Sequence, residues 1–125
     1  MKKILLKLLV VLMGLSYVWI GCQHFINPSF FLKIVPPYLA FHLELVYLSG
    51  GCEILFGLGL LFKKTRFYAS WGLVFLLIAV YPANIYLAFN ELPQEAINVS
   101  SFMASWVRLP IQFVLIWLAY KASKL

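Results

Sequence analysis

The sequence predicts an all-α integral membrane protein, a four-helix bundle with a short interfacial segment between its first and second helices. Of the 125 residues, 64% are hydrophobic and 11% are charged, whereas soluble domains are about half apolar and about a quarter charged. Four apolar segments also reach the length that a helix needs to cross a bilayer, about 20 residues for a hydrocarbon core about 30 Å thick. A chain of this length accounts for one such bundle, so a single domain is expected.

The four predicted spans cover residues 4–26, 40–62, 66–89 and 103–120, and they are connected by residues 27–37, 63–65 and 90–101. Because the connection at 63–65 is short, the second and third helices should be antiparallel neighbours. In the first connection, Pro28 lies before residues 29–35, and Pro36 and Pro37 follow them. Proline interrupts helix, so this stretch is predicted to be a short segment at the membrane interface.

Basic residues mark one side of the predicted membrane. Eight of the ten Lys and Arg residues would lie there: Lys2, Lys3, Lys7, Lys63, Lys64, Arg66, Lys121 and Lys124. The positive-inside rule assigns that side to the cytoplasm. The protein is therefore predicted to be a multi-pass protein of the inner (cytoplasmic) membrane with both termini cytoplasmic. Its net charge of +6 then indicates topology and contact with anionic lipid headgroups, and nucleic-acid binding is not expected.

Glu53 is the most costly residue of the second span, because it is followed by an apolar run at 54–62 that contains no charge. A carboxylate at that depth costs roughly 3 kcal/mol on insertion scales, and such residues usually mark functional sites. Two structural interpretations stand beside a role in binding a ligand or a proton. Glu53 could be uncharged and hydrogen-bonded to the backbone, or it could pair with Arg108.

The polar residues of the spans converge in the outer half of the predicted bundle. A helix rises about 1.5 Å per residue, which places Glu53 near the midplane and the others above it. They come from all four helices, as a ligand site inside a bundle requires. The predicted ligand-binding residues are His24, Glu53, Asn84, Arg108 and Gln112, supported by Tyr17, Glu44 and Tyr81. No catalytic residue is assigned.

Two local patterns refine this prediction. Gly50 and Gly57 lie on the same helical stripe as Glu53, and glycines permit close approach of a neighbouring helix. Pro82 should kink the third span close to Asn84, because proline removes a backbone donor. Metal binding is not expected, since the two cysteines, at positions 22 and 52, form neither a CxxC motif nor a zinc-site spacing.

Four strings resemble, in order, those of small DoxX-like membrane proteins: GCQHFINPSFFLKIVPP at 21–37, SGGCEI at 49–54, YPANIY at 81–86 and WVRLPIQ at 106–112. The resemblance implies a four-helix membrane bundle. Some members of that family are subunits of a thiosulfate:quinone oxidoreductase, and others associate with thiol-redox or detoxification partners. The resemblance implies a role of this kind. The matching residues are His24, Pro36, Pro37, Glu53, Asn84, Arg108 and Gln112.

The functional expectation is a protein that binds a quinone-like or other small amphipathic molecule, or an accessory subunit of a membrane redox pathway. Its partners would be the lipid bilayer, redox proteins and further copies of the chain. No cofactor motif is evident, and a quinone is the candidate cofactor. The alternatives are a scaffold whose polar residues only lock helix packing, and a small transporter. A transporter of four helices would need to be an oligomer.

Overall fold

The computed structural model describes residues 2–125, apart from the side chain of Ala104, and it confirms the all-α prediction. The α-helices are α1 (Lys2–Ile26), α2 (Pro28–Leu32), α3 (His42–Leu61), α4 (Arg66–Ala79), α5 (Tyr81–Phe89), α6 (Glu91–Ala96) and α7 (Arg108–Ala122). A π-helical turn, Met103–Val107, leads directly into α7. The connection at 90–101, predicted without a helix, contains α6.

Three helical segments are long and apolar enough to cross a membrane: Lys2–Ile26, His42–Leu61 and Arg66–Phe89. Their bounds nearly match the first three predicted spans. The fourth predicted span is helical too, but its first five residues form the π-helical turn, and the rest belong to α7, which is 15 residues long. The membrane, the number of crossings and the single domain stay predictions.

Glycines allow the closest helix packing, between α1 and α3. A Cβ atom built at Gly57 would lie 2.7 Å from the carbonyl oxygen of Gly14, and one built at Gly21 would lie 2.6 Å from that of Gly50. Because Gly14 faces Gly57 while Gly21 faces Gly50, the two helices are antiparallel. Any side chain at these crossings would push the helices apart, so the glycine pairs set the interhelical distance.

The remaining long helices complete a closed arrangement. Helix α3 packs on α4, α4 packs on α7, and α7 returns to α1. The buried apolar core includes Val10, Leu60, Ala69 and Ala122. These four residues lie just inside the three basic segments of the chain, so one end of the core adjoins the basic residues.

The outer surface is strongly apolar. Large side chains on several helices are exposed, among them Leu12, Trp19, Phe75 and Trp106. Soluble monomers rarely expose large contiguous apolar patches. The surface therefore supports association with a membrane.

The third predicted span is interrupted where proline was expected to kink it. Helix α4 ends at Ala79 and α5 begins at Tyr81, with Pro82 in its first turn. At the end of α4, the carbonyl oxygen of Leu77 accepts a hydrogen bond from Nε2 of Gln112, at 2.7 Å. The interruption thus directs a backbone acceptor toward α7.

Candidate functional site

A cavity of about 420 Å³ lies in the half of the molecule away from the basic end. Its volume is within the range of small-molecule sites, about 300–1,000 Å³. Most of its lining is apolar. The polar residues predicted for the site, His24, Glu53, Asn84, Arg108 and Gln112, all line this cavity, and so does Tyr17. Their convergence is a structural observation, and ligand binding stays a prediction.

His24 and Glu53 form the α1–α3 side of the cavity, and both are buried. The Nδ1 atom of His24 lies 2.8 Å from the carbonyl oxygen of Ile20 and 3.4 Å from Oε2 of Glu53. A carbonyl can only accept a hydrogen bond, so Nδ1 carries a hydrogen and donates it to Ile20. As a result, Oε2 of Glu53 has no hydrogen-bond partner among the residues that the structure describes.

Two further contacts fix the histidine ring. A Cβ atom at Gly50 would lie 2.5 Å from Cβ of His24, so only glycine leaves room for the histidine against α3. On the ring's face, Phe31 stacks with its centroid 3.7 Å away. His24 is therefore held by its own helix, by α3 and by α2.

Arg108, Asn84 and Gln112 form the opposite side as one hydrogen-bonded chain. Nη2 of Arg108 donates to Oδ1 of Asn84 at 3.2 Å, and Nδ2 of Asn84 donates to Oε1 of Gln112 at 3.0 Å. Gln112 in turn donates to Leu77. Nε of Arg108 is buried and has no partner among the described residues.

The hypothesis that Arg108 pairs with Glu53 is wrong in this structure. Arg108 bonds to Asn84, while the basic side chain nearest to Glu53 is His24. The reason lies in the packing order: Glu53 is on the α3 stripe whose glycines face α1, whereas Arg108 begins α7, which packs on α4. The two side chains contribute to one cavity from different sides.

Two of the predicted supporting residues lie elsewhere. Glu44 is exposed in the first turn of α3 and does not line the cavity. Tyr81 is also absent from the lining and packs against Phe113, with ring centroids 5.7 Å apart. Depth along a helix placed them near the site, but their helical faces point them away from it.

Sequence reasoning missed the contribution of α2 and of the segment that follows it. Phe31, Ile34, Val35, Pro36 and Leu39 all line the cavity. This segment was predicted to lie at the membrane interface, and its apolar side chains were not assigned to the site. The prolines at its two ends were the available signal, because they hold a short apolar stretch beside the ends of α1 and α3.

Gln94 was missed as well. It is buried and donates to the carbonyl oxygens of Leu87 at 2.8 Å and Ala88 at 3.2 Å, while Ser101 donates to its Oε1 at 2.7 Å. These are carbonyls of the last turn of α5, which have no partner within the helix. Gln94 therefore fixes the end of the helix that carries Asn84.

Two buried side-chain atoms of residues that line the cavity have no hydrogen-bond partner among the described residues, and one is an acceptor while the other is a donor. Oε2 of Glu53 can accept a hydrogen bond, and Nε of Arg108 can donate one. Within residues 2–125, no three His, Cys, Asp or Glu side chains are grouped closely enough to hold a metal ion. The cavity thus offers one hydrogen-bond acceptor and one donor beside a mostly apolar lining.

Fold and site together define a class: an all-α protein with long apolar helices and a cavity that is mostly apolar and carries polar residues on two of its sides. Residues 13–123 match the model of a family described as a domain of unknown function (DUF8561), and the chain belongs to this family. The DoxX resemblance is wrong, because the matching family is a different one. Short strings of apolar and small residues recur in membrane helices without common descent. No curated protein and no solved structure matches the chain.

Proposed function

We propose that this protein is a membrane-embedded binding protein for a small amphipathic molecule, which occupies the cavity between the helices. One observation carries the proposal. Glu53 and Arg108 line the same cavity, and each has a buried polar atom without a partner in the described part of the chain. A buried polar atom left unpaired costs about 1–3 kcal/mol. A bound molecule that pairs with both would recover this cost.

The apolar lining sets the rest of the ligand. Side chains such as Ile20, Val35 and Leu76 surround the polar end of the cavity, so the body of the molecule is apolar. A quinone-like molecule is one member of this class. The redox pathway and its partners followed from the DoxX resemblance and are not part of the proposal.

We also propose that the protein lies in the inner membrane with both termini cytoplasmic. The support is the location of the three basic segments at one end of the molecule, next to the core. A reporter enzyme that works only in the cytoplasm should be active when it is fused after Leu125. Activity of a periplasm-specific reporter at the same position would contradict this orientation.

The binding proposal predicts ligand-dependent stabilisation. The full chain in phosphatidylcholine nanodiscs would be melted with and without a short-chain ubiquinone or lauryl alcohol. At saturation, about 100 times Kd, a bound probe stabilises the folded state by about 2.7 kcal/mol. Glu53→Gln and Arg108→Gln should reduce this shift. Glutamine is chosen for Arg108 because leucine could not replace the hydrogen bond to Asn84.

The matched control is Glu44→Gln, which removes an exposed carboxylate from the same helix. It should respond to the probes as the unmodified protein does. Equal probe-induced shifts in all of these proteins would contradict binding at the cavity.

A purely structural role is the second candidate, because Asn84, Gln112 and Leu77 join the α4–α5 interruption to α7. This role predicts that Glu53→Gln and Arg108→Gln change the melting temperature without probe, while no probe changes it in any variant. The same melting experiment therefore separates the two candidates.

A further inference from the structure

We infer that the ligand's polar end is uncharged and carries both a hydrogen-bond donor and a hydrogen-bond acceptor, as an amide or a hydroxyl beside a carbonyl does. This inference rests on the proposed function and specifies the class of molecule that the cavity takes. Three observations support it: the balance of charge, the kind of each unpaired atom, and the position of the polar residues in the cavity.

The first observation is the balance of charge. Among the described residues that line the cavity, Glu53 is the only acidic one and Arg108 is the only lysine or arginine. A guanidinium stays protonated in proteins, and we take the Glu53 carboxyl as ionised, so that it balances this charge. A carboxylate or ammonium on the ligand would add a third buried charge without a partner, which is costly in a mostly apolar cavity.

The second observation is the kind of each unpaired atom. Oε2 of Glu53 requires a donor from the ligand, and Nε of Arg108 requires an acceptor. A carboxylate offers only acceptors and an ammonium offers only donors, so each would leave one of the two protein atoms unpaired. Among quinone-like molecules, the same requirement favours a quinol, whose hydroxyls do both, over a quinone.

The third observation is the position of Glu53. Its side chain is only 10% exposed and lines the cavity, with Oε2 3.4 Å from Nδ1 of His24. Gly50 and Gly57 keep α1 packed against this stripe of α3. A ligand in the cavity can therefore supply the donor that the described residues do not provide.

Four probes with one lauryl chain and different polar ends test this inference. Lauramide is uncharged and offers donor and acceptor, methyl laurate offers acceptors only, laurate is an anion, and laurylamine is a cation. Affinities would be measured on the full chain in phosphatidylcholine nanodiscs, corrected for partitioning into empty nanodiscs. Lauramide should bind at least about tenfold more tightly than each of the other probes, because each of the others leaves a buried group unpaired or adds a charge. A factor of about ten in affinity corresponds to the cost of one unpaired buried group.

Two substitutions should change this preference in opposite directions. Glu53→Gln leaves Arg108 without a counter-charge, so the affinity for laurate relative to that for lauramide should rise by about tenfold. Arg108→Gln leaves Glu53 without a counter-charge, so the affinity for laurylamine relative to that for lauramide should rise instead. Glu44→Gln, outside the cavity, should preserve the original order.

The outcomes distinguish this inference from the proposed function. If laurate or laurylamine binds the unmodified protein best, and Glu53→Gln or Arg108→Gln weakens that binding, the cavity is a binding site and the ligand class is wrong. If no probe binds saturably to the unmodified protein, the proposed function fails as well.

Discussion

Replacing Gly57 with alanine should destabilise the protein by about 1–3 kcal/mol, the usual cost of overpacking a well-packed interior. The new Cβ atom would lie 2.7 Å from the carbonyl oxygen of Gly14 and 3.0 Å from Cγ2 of Val18. The first of these atoms belongs to helix backbone, which cannot rotate away as a side chain can. Helices α1 and α3 would have to separate, and the melting temperature in nanodiscs should fall.

Gly51→Ala is the matched control for this substitution. It lies on the same helix, and its new Cβ atom would meet only Cζ of Phe25, at 4.0 Å, an ordinary contact. Alanine also has a higher helix propensity than glycine, by about 1 kcal/mol, so this variant should melt at the same temperature or higher. If Gly57→Ala melts like Gly51→Ala, the close crossing of α1 and α3 is wrong.

Gln112→Leu should destabilise the protein by a similar amount, because the hydrogen bonds of Gln112 are lost. Leucine keeps the size of the side chain but leaves Nδ2 of Asn84 and the carbonyl oxygen of Leu77 without partners. Each unpaired buried group costs about 1–3 kcal/mol. The melting temperature should fall without any probe present, because the α4–α5 interruption loses its connection to α7.

Gln23→Leu provides the comparison. Gln23 is partly buried on α1, and the structure shows no hydrogen bond from its side chain to any described residue. The same substitution there should have little effect on melting. A loss of stability at position 23 as large as that at position 112 would show that the hydrogen bonds of Gln112 are not the cause.

The helices could be predicted because their signals are local. Apolar runs with prolines and basic residues at their ends placed four helical regions close to their observed bounds. Depth along each helix also sufficed to bring His24, Glu53, Asn84, Arg108 and Gln112 together at one cavity. Both inferences need only the rise per residue and the sequence.

Which side chains contact one another could not be predicted in the same way. The choice of His24 over Arg108 as the neighbour of Glu53 depends on the rotation of α3 and on the order in which the helices pack. The roles of Gln94 and of the segment after α2 depend on where connections fold back. These are tertiary properties, to which hydrophobic periodicity is insensitive.

Native mass spectrometry tests the central claim, that the cavity holds a small amphipathic molecule, most directly. Four proteins would be compared, each as the full chain: the unmodified protein, Glu44→Gln, Glu53→Gln and Arg108→Gln. Each would be extracted in native-lipid nanodiscs and released from them in the spectrometer. We expect a discrete bound molecule on the first two proteins and its loss or exchange in the last two. The same set of lipid adducts on all four proteins would contradict it.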